Sequence, residues 1–365
     1  MRVLVINTVP TEKNGITNVI FNLHRAMDKE NLQMDLLTIN PADAAYASAI
    51  KDAGGNVYEM QRSIAHPIRY IRALKKRIQQ NQYDIVHAHG NSATLALEMI
   101  AAKLGGCRVR IAHSHNTTCK YMAVHKLLMP LFTAACNYRL ACGTDAGKWL
   151  FRKKEFTVIN NGIDTERFRF CTSDRQKIRT HLQLPDSCKL IGHVGLFNEA
   201  KNQAFLVQIL QQLQDKQAYR LLLIGEGGLR SNVQQLAQEC GISEQTFFIG
   251  TIDNVAAYLS ACDILCMPSL YEGLPLTLIE AQANGLPCVV SENITKEADK
   301  TGNVSFLPLE AGAQVWAQQL LQMPDDQDRH QCSTAAIDSI KRCGYGIETE
   351  AGKLKDYYLK AMGVG

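Results

Sequence analysis

Short runs of β-branched and aliphatic residues alternate along this chain with longer segments whose apolar positions recur three and four residues apart. That alternation predicts βαβ units and parallel sheets, because strands buried on both faces are apolar throughout while the covering helices are apolar on one side only. Predicted strands in the first half are 2–7, 34–39, 84–89, 108–115 and 138–142. In the second half they are 189–195, 219–225, 246–250, 264–269, 287–291 and 304–308. Each set suffices for one doubly wound domain. Between them runs Val158-Ile159-Asn160-Asn161-Gly162-Ile163-Asp164, an apolar stretch ending in residues tolerant of positive φ and suited to a hinge. The expected division is therefore residues 1–163 and 164–344, with a final amphipathic helix, 345–362, free to pack on either domain. Two such domains are expected to face a cleft, with ligands at the carboxyl ends of the strands.

The length of 365 residues fits two domains, and 46% hydrophobic with 20% charged residues gives enough apolar surface for ordinary cores. Twelve cysteines scattered along such a chain suit a reducing compartment rather than a disulfide framework. The opening apolar run, Val3 to Ile6, is too short for a signal peptide, and the stretch 122–136 is interrupted by His125, Lys126 and Pro130. That stretch also falls short of the roughly 20 residues a membrane span requires. A cytoplasmic chain is expected. Charge changes the picture more: residues 1–167 carry 22 Lys and Arg against 13 Asp and Glu, while the remainder carries 17 against 22. The basic half is expected to face something anionic.

The strongest chemical pattern is Tyr271-Glu272-Gly273-Leu274-Pro275-Leu276-Thr277-Leu278-Ile279-Glu280, a loop and helix start that follow a predicted strand. Amides near Gly273 and Leu274 at a helix N-terminus suit an anion, and Pro275 suits the first helical turn. Carboxylates beside a phosphate would be repelled by it, so Glu272 and Glu280 are better read as acceptors for neutral sugar hydroxyls. Sugar and phosphate together point to a sugar nucleotide. A second strand, turn and helix start runs from His193 through Gly195 to Lys201, whose ammonium could pair with a diphosphate. A third loop, Gly225-Glu226-Gly227-Gly228-Leu229-Arg230, lets backbone approach a ligand closely. Lys13-Asn14-Gly15 follows the first strand and also offers amides to phosphate, without the glycine spacing of a dinucleotide fold.

Two His-x-His pairs, His87 with His89 and His113 with His115, end neighbouring strands, each pair on one face, with Ser114 on the other. His115 can hydrogen-bond a sugar or move a proton. A zinc site is conceivable, but no carboxylate or cysteine nearby has ligand spacing, so no metal is expected. Two basic amphipathic segments complete the pattern. One carries Arg69, Arg72 and Lys76 beside Ile64, Ile68, Ile71, Leu74 and Ile78, and the other Lys120 and Lys126 beside Tyr121, Met122, Leu127 and Leu131. Basic rims beside apolar residues suit an anionic membrane surface. Without interleaved stacking aromatics they do not suit nucleic acid.

These residues resemble the retaining glycosyltransferases of family GT4, with the two-domain GT-B fold, over essentially the whole chain. The carrying motifs are the Glu272 to Glu280 segment, the Gly195 to Lys201 loop, the Val158 to Asp164 hinge, Gly15, and Ile111-Ala112-His113-Ser114-His115-Asn116. The last of these, with the segment from Ala141 to Phe151, is most similar to the exopolysaccharide and capsule branch. The resemblance implies a metal-independent enzyme with no cofactor. It would take a UDP- or GDP-linked sugar on its second domain and a lipid-linked or oligosaccharide acceptor on its first. It further implies catalytic roles for His115, Glu272 and Lys201, and donor contacts from Gly15, Gly195, Lys201, Glu226, Glu272, Gly273, Leu274, Thr277 and Glu280. The final helix would return to the first domain. One position departs: where the family usually has Gly-Arg, this chain has Gly195-Leu196, which removes half of the expected phosphate clamp and leaves Arg230 as a candidate substitute. A catalytically silent sugar-nucleotide-binding partner is the alternative that this departure raises.

Overall fold

A computed structural model of the chain describes residues 1–10, 15–213, 218–323 and 328–363. The elements of the first half are β1 (Arg2–Asn7), α1 (Gly15–Ala26), β2 (Gln33–Thr38), α2 (Ala44–Asp52), β3 (Val57–Glu59), α3 (Pro67–Asn81), β4 (Ile85–Gly90), α4 (Ala96–Leu104), β5 (Val109–Ser114), α5 (Met122–Ala135), β6 (Tyr138–Ala141), α6 (Thr144–Phe151) and β7 (Thr157–Val158). Those of the second half are α7 (Thr172–His181), β8 (Lys189–Val194), α8 (Gln203–Gln212), β9 (Tyr219–Ile224), α9 (Arg230–Glu239), β10 (Thr246–Gly250), α10 (Val255–Ala261), β11 (Ile264–Met267), α11 (Leu276–Ala283), β12 (Cys288–Ser291), β13 (Val304–Leu307), α12 (Gly312–Leu321) and α13 (Arg329–Arg342), followed by α14 (Ile347–Met362). The chain forms two compact units: Met1–Gly162 with Gly344–Gly365, and Ile163–Cys343.

The first unit holds a seven-stranded sheet in the order β3-β2-β1-β4-β5-β6-β7 and the second a six-stranded sheet in the order β10-β9-β8-β11-β12-β13. All pairings are parallel. Both are doubly wound, Rossmann-like sheets, as the alternating pattern predicts. The central strands are buried, β4 and β11 at every residue and β1 and β8 at all but their ends. In the first unit Leu74, Ile78, Met99 and Phe132 from α3, α4 and α5 close over Leu4, Ile6 and Val86 of the strands. In the second, Leu206 and Ile209 of α8 and Trp316 of α12 cover Ile191, Leu221 and Leu223. At about 25 cal/mol per Å² of apolar surface buried, side chains of this size contribute roughly 1.5–3 kcal/mol each. β3 and β7, three and two residues long, are the edges that the apolar pattern does not reveal.

In each sheet the winding direction reverses once, between β1 and β4 and between β8 and β11. At such a switch point the loops leaving two adjacent strands diverge and open a crevice at their carboxyl ends. The hinge segment differs in detail from its sequence reading. None of Asn160, Asn161 and Gly162 has a positive φ. Gly162 is needed because a Cβ there would lie 2.9 Å from Ile347 Cα. Asn160 also ties the two passages of chain between units together. Its amide N–H donates to Glu350 Oε2 at 2.7 Å and its side-chain Nδ2 to the carbonyl of Gly344 at 3.0 Å.

Candidate active site

The second unit places Lys201 and Glu272 on either side of its switch point. Lys201 ends a short turn after β8 and Glu272 lies in the loop after β11. Lys201 Nζ donates to Glu272 Oε1 at 2.5 Å, and Ser269 Oγ donates to the same oxygen at 3.1 Å. The two loops are joined by their own backbone: Leu270 N–H donates to Ala200 O at 2.8 Å, and Asn202 Nδ2 to Pro268 O at 3.1 Å. Asn198 caps the turn by accepting from Lys201 N–H at 3.0 Å. Gly195 is fixed by space, since a Cβ there would come within 3.2 Å of the Lys201 stem. Beneath it, His193 Nδ1 is bonded to Cys266 O at 2.9 Å, and burial pushes its imidazole down to about 4.

The third loop packs on the first. Gly225 and Gly227, with φ of 138° and 151°, pass so close to Gly195 and Phe197 that a Cβ would lie 2.1 and 2.4 Å from their carbonyl oxygens. Only glycine fits both the conformation and the space. Glu226 does not join Lys201; it pairs with Arg230 at 2.5 Å, and Arg230 donates again to Phe248 O at 3.2 Å. Arg230 is thus already partnered, which weakens it as a substitute for the missing arginine. Leu196, which stands where that arginine is usual, is 58% exposed.

Helix α11 begins at Leu276, one residue later than predicted, with Pro275 still extended at φ −74° and ψ 110°. Gly273 is exposed with open space around its α-carbon, and Leu274 and Thr277 are half-buried. Glu280, a turn further on, does not bond to the Lys201–Glu272 pair, and its carboxylate has no hydrogen bond among the described residues. Burial pushes its carboxyl up to about 7, with the nearby Arg167 acting in the opposite direction.

In the first unit the four histidines form one array beside the switch point. His89 sits opposite His113 in the β4–β5 register. Across the strands the rings meet edge to edge, His87 Nε2 with His113 Nδ1 at 3.2 Å and His89 Nδ1 with His115 Nε2 at 2.8 Å. Along the strands they stack, with centroids 4.2 Å apart for His87–His89 and 4.3 Å for His113–His115. Tyr358 of α14 closes one end, its hydroxyl 2.6 Å from His87 Nδ1. Ser114 points to the opposite face, where its hydroxyl donates to Ala146 O at 2.7 Å. Burial holds His87 and His115 down to about 3 and drives His89 and His113 well below the usual imidazole range, so all four are neutral. His115 is consequently a hydrogen-bonding group rather than a proton-transfer group near neutral pH. Nitrogens of His87, His89 and His113 lie within 4.8 Å of one another, a separation a metal could bridge after adjustment. In this array, however, the nitrogens face each other in pairs instead of converging on a point, and a metal would have to displace the His87–His113 bond.

Gly15 opens α1, exposed and with nothing crowding its α-carbon; Lys13 and Asn14 lie outside the described residues. The two basic segments are only partly core. In α3, Leu74 and Ile78 are buried while Ile68 and the preceding Ile64 are exposed next to exposed Arg69, Arg72 and Lys76. In α5, His125, Met129 and Phe132 face inward, whereas Leu127 is 76% exposed, in the company of Tyr121, Met122, Leu131, Lys120 and Lys126. No helix among the described residues is long and apolar enough to cross a membrane. Two partners were beyond the reach of spacing alone: Ser269 for Glu272 and Asn198 for Lys201. Ser269 had a usable signal, a hydroxyl two residues past an apolar strand end.

Two Rossmann-like parallel sheets, one in each unit, are the architecture of the GT-B class of glycosyltransferases. Residues 13–167 match the family described as Glycosyltransferase Family 4 and residues 174–334 that described as Glycosyl transferases group 1. The glycosyltransferase EpsF of Bacillus subtilis is 33% identical over 326 residues, covering 84% of this chain and 83% of that one. An Escherichia coli UDP-Gal:α-D-GlcNAc-diphosphoundecaprenol α-1,3-galactosyltransferase is 26% identical over 81% of this chain and 80% of its own. Among solved structures, Anabaena HepE in complex with UDP has the same fold, with a TM-score of 0.80, 16% identity, and coverage of 99% of this chain and 100% of that one. The chain belongs to the GT4-type glycosyltransferases.

Proposed function

We propose that this glycosyltransferase moves a hexosyl or N-acetylhexosaminyl group, with retention of configuration and without a metal, from a UDP- or GDP-linked donor to a lipid-linked or oligosaccharide acceptor. The observation that carries this reading is the Lys201–Glu272 pair, held by two stitched loops at the switch point where a parallel sheet binds ligands. Lys201 and the amides ahead of α11 offset the charge that gathers on the departing diphosphate. Glu272, with the amides of Gly273 and Leu274, receives hydroxyls of the transferred sugar. Glu280 receives the ribose hydroxyls, with Thr277 on the same helix. Gly195 and Glu226 shape the floor of the donor site. On the first unit Gly15 offers an amide to phosphate and neutral His115 a single hydrogen bond to a sugar hydroxyl.

In the reaction the bond from the sugar's anomeric carbon to the diphosphate oxygen breaks as an acceptor hydroxyl bonds to the same face of that carbon. The acceptor's proton passes to the leaving phosphate oxygen, so no carboxylate nucleophile is needed. The UDP complex of HepE supports the nucleotide, and the diphosphoundecaprenol substrate of the E. coli relative supports a lipid-linked acceptor. The exposed apolar residues of α5 and of the start of α3, each with a basic rim, would set the first unit against the anionic inner surface where such a lipid resides.

The test is transfer from a panel of UDP- and GDP-sugars to short-chain lipid diphosphates, with the anomeric configuration of the product read by NMR. Glu272→Ala and Lys201→Ala are expected to lose transfer, and a chelator to leave it intact. Binding of donors with neither transfer nor hydrolysis across the panel would favour a silent partner instead.

A further inference from the structure

We propose that Ser269 is a positioning residue of the donor site: its hydroxyl fixes one oxygen of Glu272, so that this oxygen holds Lys201 and the other faces the sugar. The inference rests on the reading of Glu272 and Lys201 as donor contacts. Both hydrogen bonds end on the same atom, Ser269 Oγ at 3.1 Å and Lys201 Nζ at 2.5 Å from Glu272 Oε1. Oε2 has no hydrogen-bond partner among the described residues. A carboxylate carries about four acceptor positions, so a group with one oxygen doubly engaged and the other bare is half occupied and has a defined direction.

The surroundings explain why this direction has to be imposed. Ser269 is fully buried, two residues beyond the end of β11, an interior strand of the sheet. Glu272 is in a loop whose neighbours Leu270 and Tyr271 are 44% and 68% exposed and which contains the uncrowded Gly273. Backbone bonding secures that loop at Leu270 through Ala200 O and does not reach the carboxylate. The Ser269 hydroxyl therefore transmits the order of the strand to the side chain. A buried hydroxyl also requires a partner, and the Glu272 carboxylate is the one Ser269 finds.

The experiment compares Ser269→Ala, Ser269→Cys, Glu272→Ala and the Ser269→Ala/Glu272→Ala pair in the full chain. Calorimetry measures the binding of UDP against UDP-glucose, UDP-galactose and UDP-N-acetylglucosamine, and of GDP against GDP-mannose; transfer is followed in parallel. The readout is the ratio by which the attached sugar changes affinity over the bare nucleoside diphosphate. Ser269→Ala is expected to reduce that ratio and kcat by about tenfold, with binding of the bare diphosphate altered less than twofold. Ser269→Cys, which keeps a small weak donor, recovers part of the loss. In the Glu272→Ala background the serine change has no further effect on the ratio. The role of Ser269 is overturned if Ser269→Ala behaves as the unaltered chain, if its effect persists undiminished without Glu272, or if bare diphosphate binding falls equally. Normal transfer by Glu272→Ala would instead remove the reading of the site itself, and this proposal with it.

Discussion

The carboxyl edges of the two sheets share a topology and differ in chemistry. At the second unit's switch point an ammonium and a carboxylate meet 2.5 Å apart, each partly exposed. Beside the first unit's switch point four imidazoles lie stacked and hydrogen-bonded, and burial keeps them uncharged. The fold supplies the place and the side chains supply the task. A charged edge suits a departing diphosphate, whereas a neutral edge orients hydroxyls without competing for the phosphate's counter-charge. The difference also divides their weaknesses: one edge fails when a charge is removed and the other when a charge is added.

Removing a charge has the largest expected effect. Lys201→Ala or Glu272→Ala should lower transfer by about 100- to 1,000-fold, as loss of a single stabilising donor commonly does. A loss under fivefold in steady-state rates would place the chemistry elsewhere. Adding charge to the first unit comes next. Its array histidines are neutral when folded and titrate near 6.5 when unfolded, so stability is unaffected above pH 6.5 and falls below it as the unfolded chain takes up protons. Each histidine costs about 1.4 kcal/mol per pH unit once well below that value. Limited proteolysis at pH 5 should therefore cut within residues 1–162 before residues 163–343, and the opposite order would break the comparison.

Restoring a charge should act in the other direction. Leu196→Arg is expected to tighten nucleoside diphosphate binding about tenfold in calorimetry, the worth of one charge-assisted contact. Unchanged affinity would show the position to be out of reach. In its proposed ribose role the Glu280 carboxyl, raised to about 7, would accept two hydroxyls only when ionised. Donor affinity should thus fall as pH drops through 7, by at most tenfold per unit, and Glu280→Gln should flatten that profile. The smallest effect is expected at the surface: Leu127→Ser with Lys126→Ser should reduce sedimentation with anionic vesicles several-fold at low salt. Equal binding by the altered and unaltered chains would remove the proposed membrane face.

Much of this arrangement was legible in the sequence because buried parallel strands and their following loops leave strong local signals. The apolar runs located every interior strand to within a few residues, whereas the glycines of the third loop, read as room for a ligand, serve a close passage of Gly225 against Gly195. The edge strands β3 and β7 are too short and too exposed to stand out. Partnerships were the hidden part. Spacing puts Lys201 and Glu272 after strands, but only strand order makes β8 and β11 neighbours and brings the two side chains into contact. Alternation along β4 and β5 puts each histidine pair on one face, and register decides that the pairs interlock. Gly162 read as a flexible turn and proved to be a point of close packing against Ile347.

The bond between Asn160 and Gly344 has an architectural consequence. The polypeptide leaves and re-enters its first unit at one sewn point, so residues 163–343 amount to a single insertion in the sequence of the host. A short graft from Gly162 to Gly344 would yield a continuous host with its terminal helix, while donor cassettes of different sugar preference could be exchanged at the same junction.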